Sequence, residues 1–292
     1  MLKSKWLVVG GTGMLGATIV KELESLGKIC FSVSQSSNPY QVNLCDGVQI
    51  KKLISEICPN YVINCAAITN GKLCKNSPQL ANSINCEAVR HLSFGCNAIG
   101  SRFVQISTDA FYCLSQAENN ETALDLTFPT EYAKSKYGAE LACCSNDLIV
   151  RTSFIGRKKN KQSLLDFYID AIVSKRKIQI YDDVVTSSLD VSSCASIVTK
   201  LAKSDATGIF NLGTSKCYLK SKIFFKLLDI LGENCPHELV NARDVNGYLG
   251  NVKQGMNVNK LETFLETKMP SFEDVMENLR EKGYLDDLLQ RI

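Results

Sequence analysis

The first thirty residues constrain the fold more than any other stretch of the chain. The segment WLVVGGTGMLGATIVKELESLG predicts a buried strand, a glycine-rich turn and an amphipathic helix that ends at Gly27. Gly10, Gly13 and Gly16 permit a tight turn, close approach of the backbone to a pyrophosphate and close packing of helix on strand. The N–H groups of the helix N-terminus can bind the anion. The segment therefore predicts dinucleotide binding, and a purely structural turn is the alternative interpretation.

Strands and helices alternate along the rest of the chain. Apolar strand patterns recur in KICFSVS, YVINCAAI, RFVQIST, DLIVRTSF and GIFNLG, and helical patterns lie between the earlier ones. Strands that are apolar throughout predict an α/β fold with a doubly wound parallel sheet, the Rossmann arrangement. We expect residues 1–156 with 186–215 to form this domain, and 157–185 with 216–292 to form a smaller C-terminal substrate lobe. Ser271 is expected to cap the last helix.

Composition narrows the class of protein. The chain has 292 residues and a net charge of +3, with no basic run longer than residues 157–159, so neither nucleic acid nor an anionic membrane surface is an expected partner. The 13 cysteines form no C-x-x-C pair, and His91 and His237 lack metal-ligand spacing, so no metal site is predicted. With neither a signal peptide nor an apolar run long enough to span a membrane, we expect a cytoplasmic protein.

Polar residues follow the strands at the edge where open α/β sheets bind ligands. These candidates are Asn64 to Ala67, Ser107 to Asp109 and Thr152–Ser153. A further candidate is the segment EYAKSKYGAEL, which places Tyr132 and Lys136 four residues apart, on one face of a predicted helix. Taken alone, that spacing fits a surface pair as well as an acid with the cation that tunes it.

The blocks GGTGMLG, VINCAAIT, QISTDAF, YAKSKYGAE and IVRTSF occur in this order along the chain. Together with the tail VNKLETFLETKMPSFEDVMENL, they resemble the dTDP-4-dehydrorhamnose reductase family of extended short-chain dehydrogenase/reductases, over nearly the whole chain. The resemblance implies an NAD(P)H-dependent reductase of a keto group on a nucleotide-linked sugar, in polysaccharide or deoxysugar biosynthesis. It also implies that Thr108, Tyr132 and Lys136 are the catalytic residues.

The chemistry of ketone reduction gives these three residues separate roles. Hydride addition leaves an alkoxide that must gain a proton, and a positioned acid contributes roughly 10²–10⁴-fold in rate. A tyrosine with a pKa near 10 is a poor acid or base at neutral pH unless a positive charge favours its phenolate. We therefore expect Lys136 to lower the pKa of Tyr132 and to hold the nicotinamide ribose. Thr108 is expected to polarise the carbonyl, with Ser107 ranked second.

Other site residues are predicted by position in the matched blocks. The expected cofactor-binding residues are Gly10, Gly13, Met14, Leu15, Gly16, Ser34, Asn43, Leu44, Asn64, Ala66, Ala67, Tyr132 and Lys136. The expected substrate-binding residues are Ser107, Asp109, Ser153 and Thr186. Asn85 resembles a helix asparagine that supports the active site in relatives, and a packing role is equally open.

Three segments depart from the family pattern. They are Ala110 to Cys113 after the STD motif, the triplet Thr186–Ser187–Ser188, and NVKQGMNVNKLE, which lacks an expected Arg-Pro pair. These positions would contact the sugar or its nucleotide, so a related sugar nucleotide is a better expectation than dTDP-4-dehydrorhamnose. The second lobe is expected to decide the substrate.

Cofactor preference depends on the end of the second strand. The segment SVSQSSN carries no acid to oppose a 2′-phosphate, so NADPH is favoured over NADH, although no arginine is present to bind that phosphate. Two alternatives to a reductase stay open. One is a regulatory subunit that binds a dinucleotide without turnover; the other is an epimerase or dehydratase that retains its cofactor. The chain is expected to act as a homodimer.

Overall fold

The computed structural model describes residues 4–34, 40–110, 112, 118–123, 128–157, 163–245, 248 and 251–285. Contacts divide the chain into two compact units. The first unit comprises Met1–Phe111, Leu126–Thr152 and Cys194–Phe210, and the second comprises Tyr112–Asp125, Ser153–Ser193 and Asn211–Ile292.

A six-stranded sheet forms the centre of the first unit, and only the last two residues of its strand β10 belong to the second. Its strands are β1 (Lys5–Val9), β2 (Ile29–Val33), β3 (Tyr61–Asn64), β4 (Arg102–Thr108), β5 (Leu148–Thr152) and β10 (Gly208–Leu212). Their order is β10-β5-β4-β3-β1-β2, and neighbours from β2 to β5 pair in parallel. The central strands are almost entirely buried, as strands covered by helices on both faces must be. The predicted doubly wound α/β fold is confirmed.

Helices cover this sheet. Those of the first unit are α1 (Met14–Ser25), α2 (Gly47–Ile57), α3 (Gly71–Asn76), α4 (Pro78–Asn82), α5 (Ala88–Ala98) and α6 (Glu131–Leu141); a π-helical turn (Ser83–Glu87) joins α4 to α5. Buried aliphatic side chains of α2 and α5 share one apolar core with β1, β3 and β4. This core fixes the helices over the sheet, and with them the loops at the strand ends.

Strand register brings the predicted site segments side by side. Val9 pairs with Asn64, Asn64 pairs with Gln105, and Thr108 pairs with Thr152. The carboxyl ends of β1, β3, β4 and β5 therefore lie at one edge of the sheet, which is where open α/β sheets bind ligands.

The second unit is built from short strands and amphipathic helices. Its strands are β6 (Phe154–Ile155), β7 (Ile178–Tyr181), β8 (Val185–Thr186), β9 (Leu189–Asp190), β11 (Tyr218–Leu219) and β12 (His237–Val240). Its helices are α7 (Leu164–Val173), α9 (Ser221–Leu231), α10 (Asn259–Leu265), α11 (Phe272–Glu281) and the 3₁₀ turn Ala242–Asp244. One further helix, α8 (Val191–Ala202), has its first three residues in this unit and the rest in the first. The Ser271 cap on α11 is confirmed, because its hydroxyl accepts the Asp274 N–H.

The two units differ from the division expected from sequence at four places. Residues 112–125, 153–156, 186–193 and 211–215 belong to the second unit, although all four segments were expected in the first. Pairing joins two of them, because β9 pairs with β6 and the Leu189 N–H donates to the Ser153 carbonyl oxygen. The Tyr112 hydroxyl donates to Asn211 Oδ1 at 2.6 Å, which joins the other two.

Three features of the described residues bear on function. Their cysteines are free thiols. No set of three or more His, Cys, Asp or Glu side chains in the described ranges is arranged to hold a metal ion. Among the same residues, no helix has the length and apolarity needed to cross a membrane.

Candidate active site

The glycine-rich turn connects β1 to α1. Gly10 has a φ of +79°, and Gly13 is the N-cap of α1, where no side chain occupies the helix N-terminus. Met14, Leu15 and Gly16 supply the first N–H groups of the helix, and a Cβ on Gly16 would lie 2.3 Å from the Gly10 carbonyl oxygen. An uncapped helix start on a turn this tight fits a dinucleotide pyrophosphate.

Gly10 also packs directly on the turn that follows β3, which gives a testable prediction. A Cβ at Gly10 would lie 2.6 Å from the Ala66 nitrogen and 2.9 Å from the Cys65 carbonyl carbon, and backbone atoms cannot yield as flexible side chains do. Gly10→Ala is expected to lower the free energy of unfolding by more than about 2 kcal/mol, since strain at positive φ alone costs about 1–2 kcal/mol. Weaker dinucleotide binding should accompany this loss, as measured by denaturant unfolding and fluorescence titration.

Gly27→Ala is the matched control, because Gly27 has a φ of +64° and open space where its Cβ would lie. In this variant the free energy of unfolding should fall by the cost of backbone strain alone, without the additional cost of a steric clash. Dinucleotide affinity should be unchanged. Equal effects of the two substitutions on stability and binding would show that close packing at Gly10 is unimportant.

The turn after β3 is held by a buried pair of amides. Asn64 Nδ2 donates to Gln105 Oε1 at 2.8 Å, and Asn64 Oδ1 accepts from the Ala66 N–H at 3.1 Å. Asn64 is therefore fully engaged within the protein and shapes the turn that Gly10 contacts. Ala66 and Ala67 are partly buried in that turn. Cofactor contact by these three residues stays a prediction.

Asn43 and Leu44, two of the predicted cofactor-binding residues, lie before α2. Asn43 is exposed, and its side chain accepts from the Cys45 N–H, while Leu44 packs against the apolar core. Asp46 caps α2 by accepting two N–H groups of its first turn. Cofactor contact by Asn43 and Leu44 stays a prediction.

Ser34 ends the second strand and forms an isolated parallel bridge with Gln41. Gln35, Ser36 and Ser37, on which the predicted cofactor preference depended, lie outside the described residues. The preference for NADPH therefore receives no support from this segment of the structure.

Helix α6 begins with a side-chain cap and carries the Tyr-x-x-x-Lys pair. The Thr130 hydroxyl accepts the Ala133 N–H at 3.0 Å, which fixes the first turn. Lys136 is buried, and its Nζ donates to the Ile106 carbonyl oxygen of β4 at 2.7 Å. An ammonium buried against a strand is not a surface ion pair, so the surface interpretation of this spacing is wrong.

Tyr132 lies beside Thr108 at the end of β4. The Thr108 hydroxyl accepts the Ala110 N–H at 3.2 Å. Burial raises the pKa of Tyr132 to about 12, the Thr108 hydroxyl opposes that rise, and the Asp109 carboxylate adds to it. The pKa was expected to be lowered by Lys136. Desolvation of the phenol is instead the largest influence on that pKa, and the phenol is protonated at neutral pH.

Burial acts on Lys136 in the opposite direction. Desolvation lowers the pKa of its ammonium to about 8, and the Glu140 carboxylate, one turn further along α6, opposes that fall. A charged lysine held in an apolar setting costs stability, and such groups are typical of functional sites.

Asn85 lies in the π-helical turn and is completely buried. Its Oδ1 accepts the Ile68 N–H at 2.7 Å, and its Nδ2 donates to the Ile68 carbonyl oxygen and to Ser135 Oγ. Ser135 lies between Tyr132 and Lys136 on α6. Asn85 therefore fastens the loop after β3 to the helix of the candidate catalytic pair, and π-helical turns are frequent at functional sites.

Ser107 and Asp109 flank Thr108 and are both buried. The Ser107 hydroxyl donates to Glu140 Oε1 at 2.5 Å, and the Thr108 hydroxyl donates weakly to Asp109 Oδ1 at 3.4 Å. Glu140 was not predicted as a site residue. The signal that could have revealed it is an acidic residue one helical turn beyond Lys136, on the same face of α6.

The remaining substrate candidates lie in the second unit. Thr186 is buried, and its hydroxyl and that of Ser153 each hydrogen bond with Ser188 Oγ at 2.8 Å. Within the second unit these hydroxyls hold β8 and the segment beside β6 together. Their contact with substrate stays a prediction. Phe111 and Cys113, two of the positions that depart from the family pattern, lie outside the described residues.

A parallel sheet with a glycine-rich turn after its first strand, and a Tyr-x-x-x-Lys helix packed on its fourth, defines a short-chain dehydrogenase/reductase. A family model described as RmlD substrate binding domain matches residues 4–222. The chain belongs to that family.

Relatives and solved structures agree with this assignment. A dTDP-4-dehydrorhamnose reductase from Streptomyces griseus is 33% identical over 107 residues, a match that covers 37% of this chain and 34% of that protein. A probable low-salt glycan biosynthesis reductase, Agl14, from Haloferax volcanii is 24% identical and covers 77% of this chain and 79% of its own length.

Among solved structures, dTDP-4-dehydrorhamnose reductase from Bacillus anthracis in complex with NADP superposes with a TM-score of 0.88 at 20% identity. The superposition covers 96% of this chain and 100% of that one, so the two proteins share a fold over the superposed residues.

Proposed function

We propose that this protein is an NAD(P)H-dependent reductase of a keto group on a nucleotide-linked sugar, in polysaccharide or deoxysugar biosynthesis. The observation that carries the proposal is the placement of Tyr132 beside Thr108 at the end of β4, with the buried Lys136 one helical turn away. The names of the relatives support the same substrate class. The free thiols favour a cytoplasmic location, where glutathione keeps cysteines reduced.

The chain's own groups have distinct tasks in such a reaction. Bound reduced nicotinamide supplies the hydride. The Thr108 hydroxyl donates a hydrogen bond to the substrate carbonyl oxygen and so polarises the carbonyl group. Tyr132 holds a proton at neutral pH, because burial raises its pKa to about 12, and it can give that proton to the oxygen as an alkoxide forms. The raised pKa keeps the proton on the phenol until the substrate oxygen gains alkoxide character and becomes the stronger base, whereas the reverse oxidation would need the phenolate.

NADPH is the proposed cofactor. The glycine-rich turn and the uncapped start of α1 fit the pyrophosphate of either dinucleotide, and the relative from Bacillus anthracis was solved with NADP. Fluorescence titration with both reduced dinucleotides tests the preference. Tenfold tighter binding of NADH than of NADPH would reverse the assignment.

The activity is tested by incubating the purified protein with NADPH and a panel of keto-sugar nucleotides, including dTDP-4-dehydrorhamnose. We expect stoichiometric loss of reduced-nicotinamide absorbance with at least one of them, and a product reduced at the keto carbon by mass spectrometry. Isomerised or dehydrated product without net consumption of NADPH would identify an epimerase or dehydratase. Dinucleotide binding without turnover of any panel member would favour a regulatory subunit.

A further inference from the structure

A buried ion pair lies directly behind the candidate catalytic helix. The side chains of Arg151 and Glu140 are 0% and 3% exposed. Arg151 Nε donates to Glu140 Oε1 at 2.9 Å and its Nη2 donates to Oε2 at 2.7 Å, so the contact is bidentate. The Ser107 hydroxyl donates to Oε1 as well, at 2.5 Å. Two strands thus hold one carboxylate of α6.

This arrangement is more than the fold requires. Strands β4 and β5 already pair along their length, with Ser107 opposite Arg151. Buried ion pairs lose so much hydration that well-packed apolar side chains usually stabilise a fold as well or better. A fully paired buried carboxylate at this position therefore calls for a role beyond stability.

The position of the pair suggests that role. Glu140 follows Lys136 by one helical turn, and α6 contacts β4 at two successive residues: Lys136 at the Ile106 carbonyl and Glu140 at Ser107. The next residue of β4 is Thr108, whose hydroxyl acts on the Tyr132 phenol. The carboxylate thus lies on the same helix face as the ammonium and beside the reacting end of the strand.

We propose that Glu140, held by Arg151 and Ser107, is a positioning residue that keeps the Lys136 ammonium charged and seats α6 on the end of β4. The thiols of Cys65, after β3, and Cys143, after α6, also act on Lys136, and Tyr132 on the same helix face is a neutral phenol at pH 7. Burial holds the pKa of both thiols above its ordinary value, so they are neutral at pH 7. Glu140 is therefore the negative charge that offsets the burial of Lys136.

The proposal rests on the proposed function for its catalytic meaning, but the charge of Lys136 can be measured without turnover. Lysine carrying ¹³C at Cε is incorporated, and the Lys136 signal is identified by its absence from Lys136→Met. In the unaltered protein, where the pKa of Lys136 is about 8, its chemical shift should titrate near that pH. The test variant is Glu140→Gln with Arg151→Met, because removing both charges leaves neither buried alone.

Loss of the Glu140 carboxylate, the charge that most opposes the desolvation of Lys136, should move the Lys136 midpoint of the double variant to lower pH. If reductase activity is found, the alkaline limb of its pH profile should move by the same amount. Arg157→Met with Asp166→Asn removes a half-buried ion pair of the second unit and is the control for general loss of stability. An unchanged Lys136 midpoint in the folded double variant would overturn the proposal, whether or not the protein proves to be a reductase.

Discussion

Lys136→Met is expected to yield a protein that is more stable than the original and almost inactive. Burial lowers the pKa of Lys136 from 10.5 to about 8, a difference that corresponds to roughly 3 kcal/mol at neutral pH. Each neighbour keeps another partner, because the Ile106 carbonyl also accepts from Gln105 and Glu140 stays bound to Arg151. Methionine can therefore fill the space without leaving an orphaned polar group.

The pH dependence of stability separates this effect from ordinary packing. Because the folded-state pKa is depressed, the unfolded chain binds the extra proton between pH 8 and about 10.5, and stability attributable to Lys136 rises with pH across that window. The difference in unfolding free energy between variant and original should be largest below pH 8 and shrink above it. Urea unfolding at pH 7, 9 and 10.5 measures this difference. The unfolding free energy should depend equally steeply on urea concentration in both proteins, which shows that both expose the same surface on unfolding.

Activity should fall for a different reason. Dinucleotide affinity is expected to drop roughly tenfold with the loss of a charged hydrogen-bond donor, and turnover to fall by roughly 10²-fold or more. Lys134→Met is the control, since Lys134 is exposed on the same helix and should change neither stability nor turnover appreciably. A destabilised Lys136→Met protein would show that the ammonium is needed for folding rather than for chemistry.

Tyr132→Phe is expected to reduce turnover by roughly 10²-fold or more while dinucleotide affinity and fold survive. The substitution removes one hydroxyl, and Thr108 keeps its contacts with Asp109 and the Ala110 N–H. Stability should therefore change by about 1 kcal/mol or less. Steady-state kinetics with the keto-sugar nucleotide found in the panel, together with a dinucleotide titration, measures both effects.

Tyr137→Phe provides the matched comparison, because Tyr137 lies on the same helix and packs against Phe128 with 5.0 Å between the two ring centroids. That ring contact survives loss of the hydroxyl, and turnover should be unaffected. If Tyr132→Phe reduced the substrate at the original rate, another group would have to be the proton donor.

The local pattern of apolar residues was sufficient to predict the parallel sheet and the helices that connect its strands. Apolar runs such as those of β1 and β4, separated by amphipathic helices, leave few arrangements other than a covered parallel sheet. The pattern was insufficient for the second unit, where β6, β8, β9 and β11 are two residues long. Such strands are defined by partners distant in the chain, so no periodicity marks them.

The candidate site was likewise predicted from sequence only in part. Glycine spacing and the Tyr-x-x-x-Lys motif are local, and the structure brings Thr108, Tyr132 and Lys136 together as the motifs imply. The direction of the Tyr132 pKa was mispredicted, because a pairwise argument from Lys136 ignored the burial of the phenol itself. Desolvation depends on all the atoms that surround a group in the folded protein, and a short sequence motif does not identify those atoms.

The π-helical turn at Ser83–Glu87 has a consequence for insertions and deletions. Residues 78–98 read as one uninterrupted helix, yet Ala81 before the turn and Val89 and Leu92 after it are all buried. A π-helical turn holds about one residue more than an α-helical turn, so a one-residue deletion inside it can be absorbed by closing the turn, with α4 and α5 keeping their buried faces. A one-residue deletion within α4 or α5 instead rotates the parts on either side by about 100° and exposes an apolar side. A single-residue gap in an alignment of this helix therefore belongs in the turn, where its main effect is to move Asn85 away from Ile68.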